Sequence, residues 1–248
     1  RLASLEAFLA EEDAPEAIAG EALKPKEKIG FVFSGNGSQW AGMGQEAYQK
    51  DETFRLAFER VDKIFMGIGG WSLLTTLFAE DLENDIERAE ISQPLLFAIQ
   101  VALVEALRSR GLEAEGACGH SVGEVAAAWC CGGLSLEQAV KVIHARSSEQ
   151  EVVRDLGSMA ALLLPAEAAL AAMEESGLPR LELAAINSPR SVTISGDTDS
   201  LDAFAKFARK KKWAMRRLNL AYPYHSALVD LIKEPLLAAL DGLQPHKP

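Results

Sequence analysis

Ser121 lies in the run Ala117-Cys-Gly-His-Ser-Val-Gly-Glu124, with a glycine two residues away on each side. The G-x-S-x-G spacing suits a nucleophile elbow, a tight strand-to-helix turn whose small flanking residues let the backbones pack closely. The next residues, Glu124 to Trp129, are Ala-rich and favour a helix. Such a turn aims Ser121 outward. It also leaves the N–H of Val122 at a helix N-terminus, where it can stabilise an oxyanion. A glycine-flanked turn before an ordinary helix is the competing reading of the same five residues.

A serine hydroxyl needs a base within hydrogen-bond reach. The chain has four histidines. His120 adjoins the serine, so its side chain is expected to point elsewhere. His246 falls in a polar tail, and His144 falls inside a helical pattern. His225 follows Ala221-Tyr-Pro-Tyr224, a Pro-containing loop between a strand and a helix. It reads equally as a base or as a buried structural histidine. Gly35-Asn-Gly-Ser-Gln-Trp40 is not a dinucleotide fingerprint, because Trp40 fills the third glycine position. The better reading is a loop whose amides face a site, with the N–H of Asn36 as a second oxyanion donor beside that of Val122. Arg146 reads by itself as a surface arginine; turned inward, its planar fork can hold a carboxylate through two parallel hydrogen bonds.

The elements that would position these groups follow from pattern. Ile29–Phe33 reads as a buried strand before a tight turn. Residues 43–65 are helical, with Phe54, Phe58, Val61 and Phe65 at core spacing. Pro94 is expected to open a helix running from Leu95 to Arg108. Ser135 with Gln138 forms a capping box for a later helix. From Ser158 the order is βαββαβ: strands near Met159–Leu164, Leu181–Ile186, Val192–Ser195 and Ala214–Leu220, with helices at Ala166–Ser176 and Ser200–Lys211. That order is ferredoxin-like.

Composition narrows the function classes. Of 248 residues, 48% are hydrophobic and 25% charged, as in a globular protein with a sizeable core. A net charge of −11 argues against nucleic acid, and the Lys210–Lys212 run reads as a solvated helix end. No apolar stretch is expected to span a membrane. Three cysteines, two of them adjacent, make no disulfide framework and suit a reducing cytoplasm. No Cys/His spacing suggests a metal site. The chain begins without Met and reads as a piece of a longer protein.

Taken in order along the chain, these motifs resemble the malonyl-CoA:acyl-carrier-protein transacylase family, and more closely the acyltransferase domain of modular type I polyketide synthases. Phe33–Gln39 stands where the family has a strand and a G-Q-G-S-Q loop, with Asn36 in place of the glutamine. Gly119–Glu124 matches G-H-S-x-G-E. Arg146 stands at the spacing of the family's carboxylate-binding arginine. Asn187-Ser-Pro189, Ser195-Gly-Asp197, Ser92-Gln-Pro94 and Tyr222–His225 match further segments.

The resemblance implies an α/β fold: a hydrolase-like large lobe with a parallel sheet at 29–156 and 221–248, and an inserted ferredoxin-like small lobe at 157–220. Residues 1–28 would be a ketosynthase-to-acyltransferase linker, and part of the C-terminal lobe would lie outside this chain. It implies Ser121 as nucleophile, His225 as base, the amides of Asn36 and Val122 as oxyanion hole, and Arg146 on the substrate carboxylate. Gln39, Gln93, His120, Asn187, Tyr222 and Tyr224 would shape the pocket. The implied substrates are malonyl-CoA or methylmalonyl-CoA and the phosphopantetheine thiol of an acyl carrier protein, with no bound cofactor. Partners would be that carrier protein and neighbouring ketosynthase and other domains. Tyr224, a bulky residue before the histidine, and Val122 after the serine favour malonyl; Tyr222 points the other way. A serine hydrolase such as a thioesterase, and a non-catalytic interaction module, are the rival readings.

Overall fold

The computed structural model describes residues 2–10 and 28–247. The linker expected at 1–28 falls mostly outside the described residues; within it, α1 spans Leu2–Leu9. Strand β1 (Gly30–Phe33) leads into the Ser34–Gly44 loop, then α2 (Gln45–Lys50) and α3 (Glu52–Gly69). The expected continuous helix at 43–65 is broken at Asp51, whose extended backbone and side chain cap α3 by accepting from the Phe54 N–H. Phe54, Phe58, Val61 and Phe65 fall on one face of α3 and are buried, as their spacing requires.

Short helices α4 (Leu73–Leu77) and α5 (Leu82–Asp85) precede α6 (Ala89–Arg108). Pro94 does not open α6 but lies inside it, as its sixth residue. The ring still forfeits one backbone bond there. The true N-terminus is capped from outside instead: the Ala89 N–H donates to the Tyr222 hydroxyl and the Glu90 N–H to the Glu151 carboxylate. By length and composition alone α6 is apolar enough to cross a membrane. Its most apolar window is 72% buried within the protein, so it is the central helix of the large core.

β2 (Gly116–Gly119) pairs parallel to β1, Gly30 opposite Gly116 and Phe33 opposite Gly119. α7 (Gly123–Cys130) and α8 (Leu136–Gln150) pack on α6. Ser135 and Gln138 form the expected capping box.

A second sheet begins at β3 (Ser158–Leu162) and continues through α9 (Ala166–Ser176), β4 (Leu181–Ser188), β5 (Ser191–Gly196), α10 (Thr198–Lys210) and β6 (Met215–Arg217). Its spatial order, β4-β5-β3-β6 with antiparallel neighbours, is that of a ferredoxin-like unit. Leu162, Ile194, Leu201 and Phe204 centre its own core. The chain then returns through Ala221–Ser226, a 3-10 turn (Ala227–Ile232) and α11 (Lys233–Ala239). A third apolar cluster of Ala89, Val153, Met159, Tyr222, Tyr224 and Ile232 joins the two lobes.

Candidate active site

Ser121 is set by backbone crowding. A Cβ on Gly119 would overlap the Gly123 carbonyl, and one on Gly123 would overlap the Phe33 carbonyl oxygen. Side chains are thus excluded on both sides, and the chain must turn sharply between β2 and α7. Ser121 itself takes a left-handed backbone, φ 52°, which costs a non-glycine residue about 1–3 kcal/mol. The surrounding packing enforces it, and the hydroxyl projects out of the turn.

His225 arrives from 104 residues further along. It too is left-handed, φ 59°. Ser226 closes the turn with a hydroxyl bond to the Pro223 carbonyl (2.7 Å). Tyr222 anchors its start, donating to Glu151 Oε1 (2.7 Å) and accepting from the Ala89 N–H (3.0 Å). The Ala227 N–H anchors its end on Glu182 of β4 (2.8 Å). These fixings bring His225 Nε2 to 3.1 Å from Ser121 Oγ. His225 is exposed, yet it packs closely enough against the protein to be partly desolvated. Desolvation, then the Arg146 and His120 charges, lower its pKa, favouring the neutral imidazole a base requires.

Arg146, on the inward side of α8, donates from Nη2 to Ser121 Oγ (3.2 Å). Its Nη1 donates to Gln93 Oε1 and, at 3.3 Å, to Gln150 Oε1. It is therefore not a surface arginine. Burial lowers its pKa, but a guanidinium stays charged throughout the working range. Among the described residues no carboxylate lies within ion-pair distance of it. A positive charge whose hydrogen-bond acceptors are all neutral oxygens can receive a ligand's anion.

The Ser34–Gly44 loop closes the other side. Gln100 Nε2 of α6 holds the Ser34 carbonyl (2.9 Å), and Ser38 Oγ holds the Gly35 carbonyl (3.0 Å). Gly35 lies against the His120 carbonyl, with no room for a side chain. Asn36 therefore sits beside the elbow. Among the described residues the N–H groups of Asn36 and Val122 have no protein acceptor, while the N–H of Gly37, next along the loop, is taken by Gln39 Oε1. Two free amides beside a nucleophile can hold an oxyanion.

Ser121 and His225 line a cavity of about 100 Å³ with Asn36, His120 and Tyr224 on one side, and Met159, Ala185, Asn187, Thr193, Leu218 and Leu220 from the small lobe on the other. A larger polar cleft of about 370 Å³, lined by Glu87, Asp155 and Arg217 among others, lies elsewhere on the seam and contains neither the serine nor the histidine.

Three of the residues expected in the pocket stand differently. Tyr222 does not line it. Its ring stacks flat on Tyr224 (4.9 Å between centroids, 5° between planes), and burial together with the Glu151 carboxylate pushes its phenol pKa far up. Gln39 turns away to Gly37 N–H and Glu87. Gln93 is fully buried behind Arg146. Gln150 and Glu151 were invisible in the sequence reading, since neither belongs to a motif. The only signal in the sequence was the i, i+4 spacing that places Gln150 on the same helix face as Arg146.

Residues 30–248 match the family model for the acyl transferase domain. The chain is 36% identical over 249 residues to the spectinabilin polyketide synthase system protein NorC of Streptomyces orinoci, covering 99% of this chain and 11% of that protein. Among solved structures it is similar to the acyltransferase domain from module 8 of the salinomycin polyketide synthase (TM-score 0.90, 32% identity, 99% of this chain and 58% of that one). It is also similar to the malonyl CoA-acyl carrier protein transacylase from Clostridium perfringens (TM-score 0.79, 28% identity, 89% and 70%).

Proposed function

The chain belongs to the acyl transferase domain family, and on that premise we propose that it loads an acyl extender unit onto a carrier protein through an ester on Ser121. The observation that carries this is the position of Ser121 Oγ, between His225 Nε2 at 3.1 Å and Arg146 Nη2 at 3.2 Å. His225 takes the hydroxyl proton as Ser121 Oγ attacks the thioester carbonyl of an acyl-CoA. The N–H groups of Asn36 and Val122 hold the tetrahedral oxyanion. The C–S bond then breaks, protonated His225 returns the proton to the CoA thiolate, and an ester remains on Ser121. Its free carboxylate pairs with Arg146. A phosphopantetheine thiol, deprotonated by His225, attacks the ester and leaves with the acyl group, and Ser121 recovers its proton.

Similarity to polyketide synthase proteins supports polyketide assembly as the setting, with the carrier protein and the adjoining synthase domains as partners. The chain spans about a tenth of the NorC protein, so its place in a larger synthase is itself part of the proposal. We assign 29–156 and 221–248 to the large lobe and 157–220 to the small one. Three free cysteines fit a reducing cytoplasm. A hydrolase of the triad type would orient its histidine with a carboxylate. Among the described residues none bonds to His225, which favours the transferase reading.

Tyr224 lines the cavity, and its buried ring narrows the space an α-methyl group would need. Malonyl is therefore the proposed unit. Mass spectrometry of Ser121 after brief exposure to equimolar malonyl-CoA and methylmalonyl-CoA tests it. The expected preference for malonyl is about 10–200-fold, the worth of one excluded methyl. Equal or faster labelling by methylmalonyl overturns the assignment.

The lowered His225 pKa sets the pH profile. Acylation needs the neutral ring, so the rate falls only as pH drops below a pKa that lies beneath the usual value of about 6.5. Single-turnover acylation should thus run above half of its plateau at pH 6.5; a half-maximal rate at or above that pH rules out the desolvated base.

A further inference from the structure

We propose that Gln150 is a positioning residue that keeps the Arg146 charge unspent and correctly aimed, and so sets the preference for acyl groups that carry a distal carboxylate. The inference rests on Arg146 as the carboxylate's partner. Gln150 is buried at the last turn of α8, one helical turn beyond Arg146. Its Oε1 accepts two bonds, from Gln93 Nε2 (2.6 Å) and from Arg146 Nη1 (3.3 Å). The first bond fixes which way the Gln93 carboxamide faces, because Gln93 must then present its oxygen to Arg146. The two amide oxygens thereby occupy Nη1 and hold the guanidinium plane, while Nη2 points at Ser121 Oγ.

Glutamate at this position would fill the same volume and accept the same bonds. It would also neutralise the guanidinium. The observed carboxamides orient the fork without discharging it. The charged and titratable groups around the fork are Glu124, Tyr224 and His225, and none of them forms a hydrogen bond with it. A buried cation held by neutral acceptors presents its full charge to whatever anion reaches Nη2.

The test compares Gln150→Glu, Gln150→Met and Arg146→Ala with the unsubstituted chain. Acylation of Ser121 by malonyl-CoA and by acetyl-CoA gives a selectivity ratio for each. Equilibrium binding of the same two esters in a Ser121→Ala background gives the ratio without turnover, and thermal unfolding checks that each variant is folded. Gln150→Glu should lower the malonyl-to-acetyl ratio about 100-fold, since a full negative charge then competes for the guanidinium. Gln150→Met, which frees the fork but leaves its charge, should lower it about tenfold, mainly through malonyl-CoA KM. Equal losses for both esters, or an unchanged ratio in both Gln150 variants while Arg146→Ala collapses it, overturns the positioning role alone. An unchanged ratio in Arg146→Ala overturns the carboxylate reading beneath it.

Discussion

Replacement of Ser121 by alanine should abolish the proposed acyl-enzyme. No adduct is expected with any acyl-CoA, and transfer to a carrier thiol should fall roughly 10⁴-fold or more, the usual loss when a nucleophile that acts as a unit with its base is removed. The effect is this large because His225 and Arg146 have no second hydroxyl to work on: both converge on Ser121 Oγ, at 3.1 and 3.2 Å. Removing one oxygen also leaves the left-handed turn intact, since Gly119 and Gly123 set it and not the hydroxyl. The variant should therefore unfold with the same denaturant midpoint as the parent. Intact mass after exposure to malonyl-CoA decides the matter. An adduct persisting at the level of the parent would place the nucleophile elsewhere.

Gly123→Ala should be a severely damaging single-methyl change to the fold. Its Cβ would press into the Phe33 and Ser34 carbonyl oxygens, which are backbone atoms of β1 and its loop and cannot swing aside as a side chain can. Relief requires β1 and α7 to move apart, at a cost of roughly 3 kcal/mol, the upper end for overpacking. Gly67→Ala provides the contrast. Gly67 lies in α3 with open space where a Cβ would go and an ordinary helical φ. There alanine should stabilise by about 0.5–1 kcal/mol through helix propensity and a less free unfolded chain. Urea midpoints for the two variants should move in opposite directions; a Gly123→Ala midpoint within error of the parent would mean the elbow is looser than its packing indicates.

The contrast between those glycines also marks what the sequence could convey. Gly119-x-Ser121-x-Gly123 was legible because crowding leaves glycine no substitute. The ferredoxin-like order was legible because each strand and helix there carries its own period and its own turn residues. Ser135 and Gln138 announced their cap three residues apart. Pro94 misled, because its effect as a helix starter is local while the real start is capped by Tyr222 and Glu151, which are 133 and 61 residues away from the amides they receive. The same distance hid the role of Tyr222. Its place beside the histidine suggested a pocket wall, whereas its hydroxyl is committed to the end of α6 and only Tyr224 faces the cavity. Arg146 could not be distinguished from a surface arginine until α8 was oriented. Gln150 carries no motif at all, and its meaning depends on where Gln93 stands.

The residues around the histidine are held from two directions: Tyr222 by the Glu151 carboxylate and α6, Ala227 by Glu182 on β4. The serine rides on one lobe alone. Exchanging the 157–220 unit for that of a relative could keep every side chain that touches the substrate and still fail. The transplanted sheet would need a carboxylate where Glu182 stands and a strand end that presents it to the Ala227 amide. Without these, the imidazole loses one of its two moorings, and the graft arrives folded, stable and out of reach of the hydroxyl. For this architecture, compatibility between donor and host depends in part on one backbone amide outside the pocket.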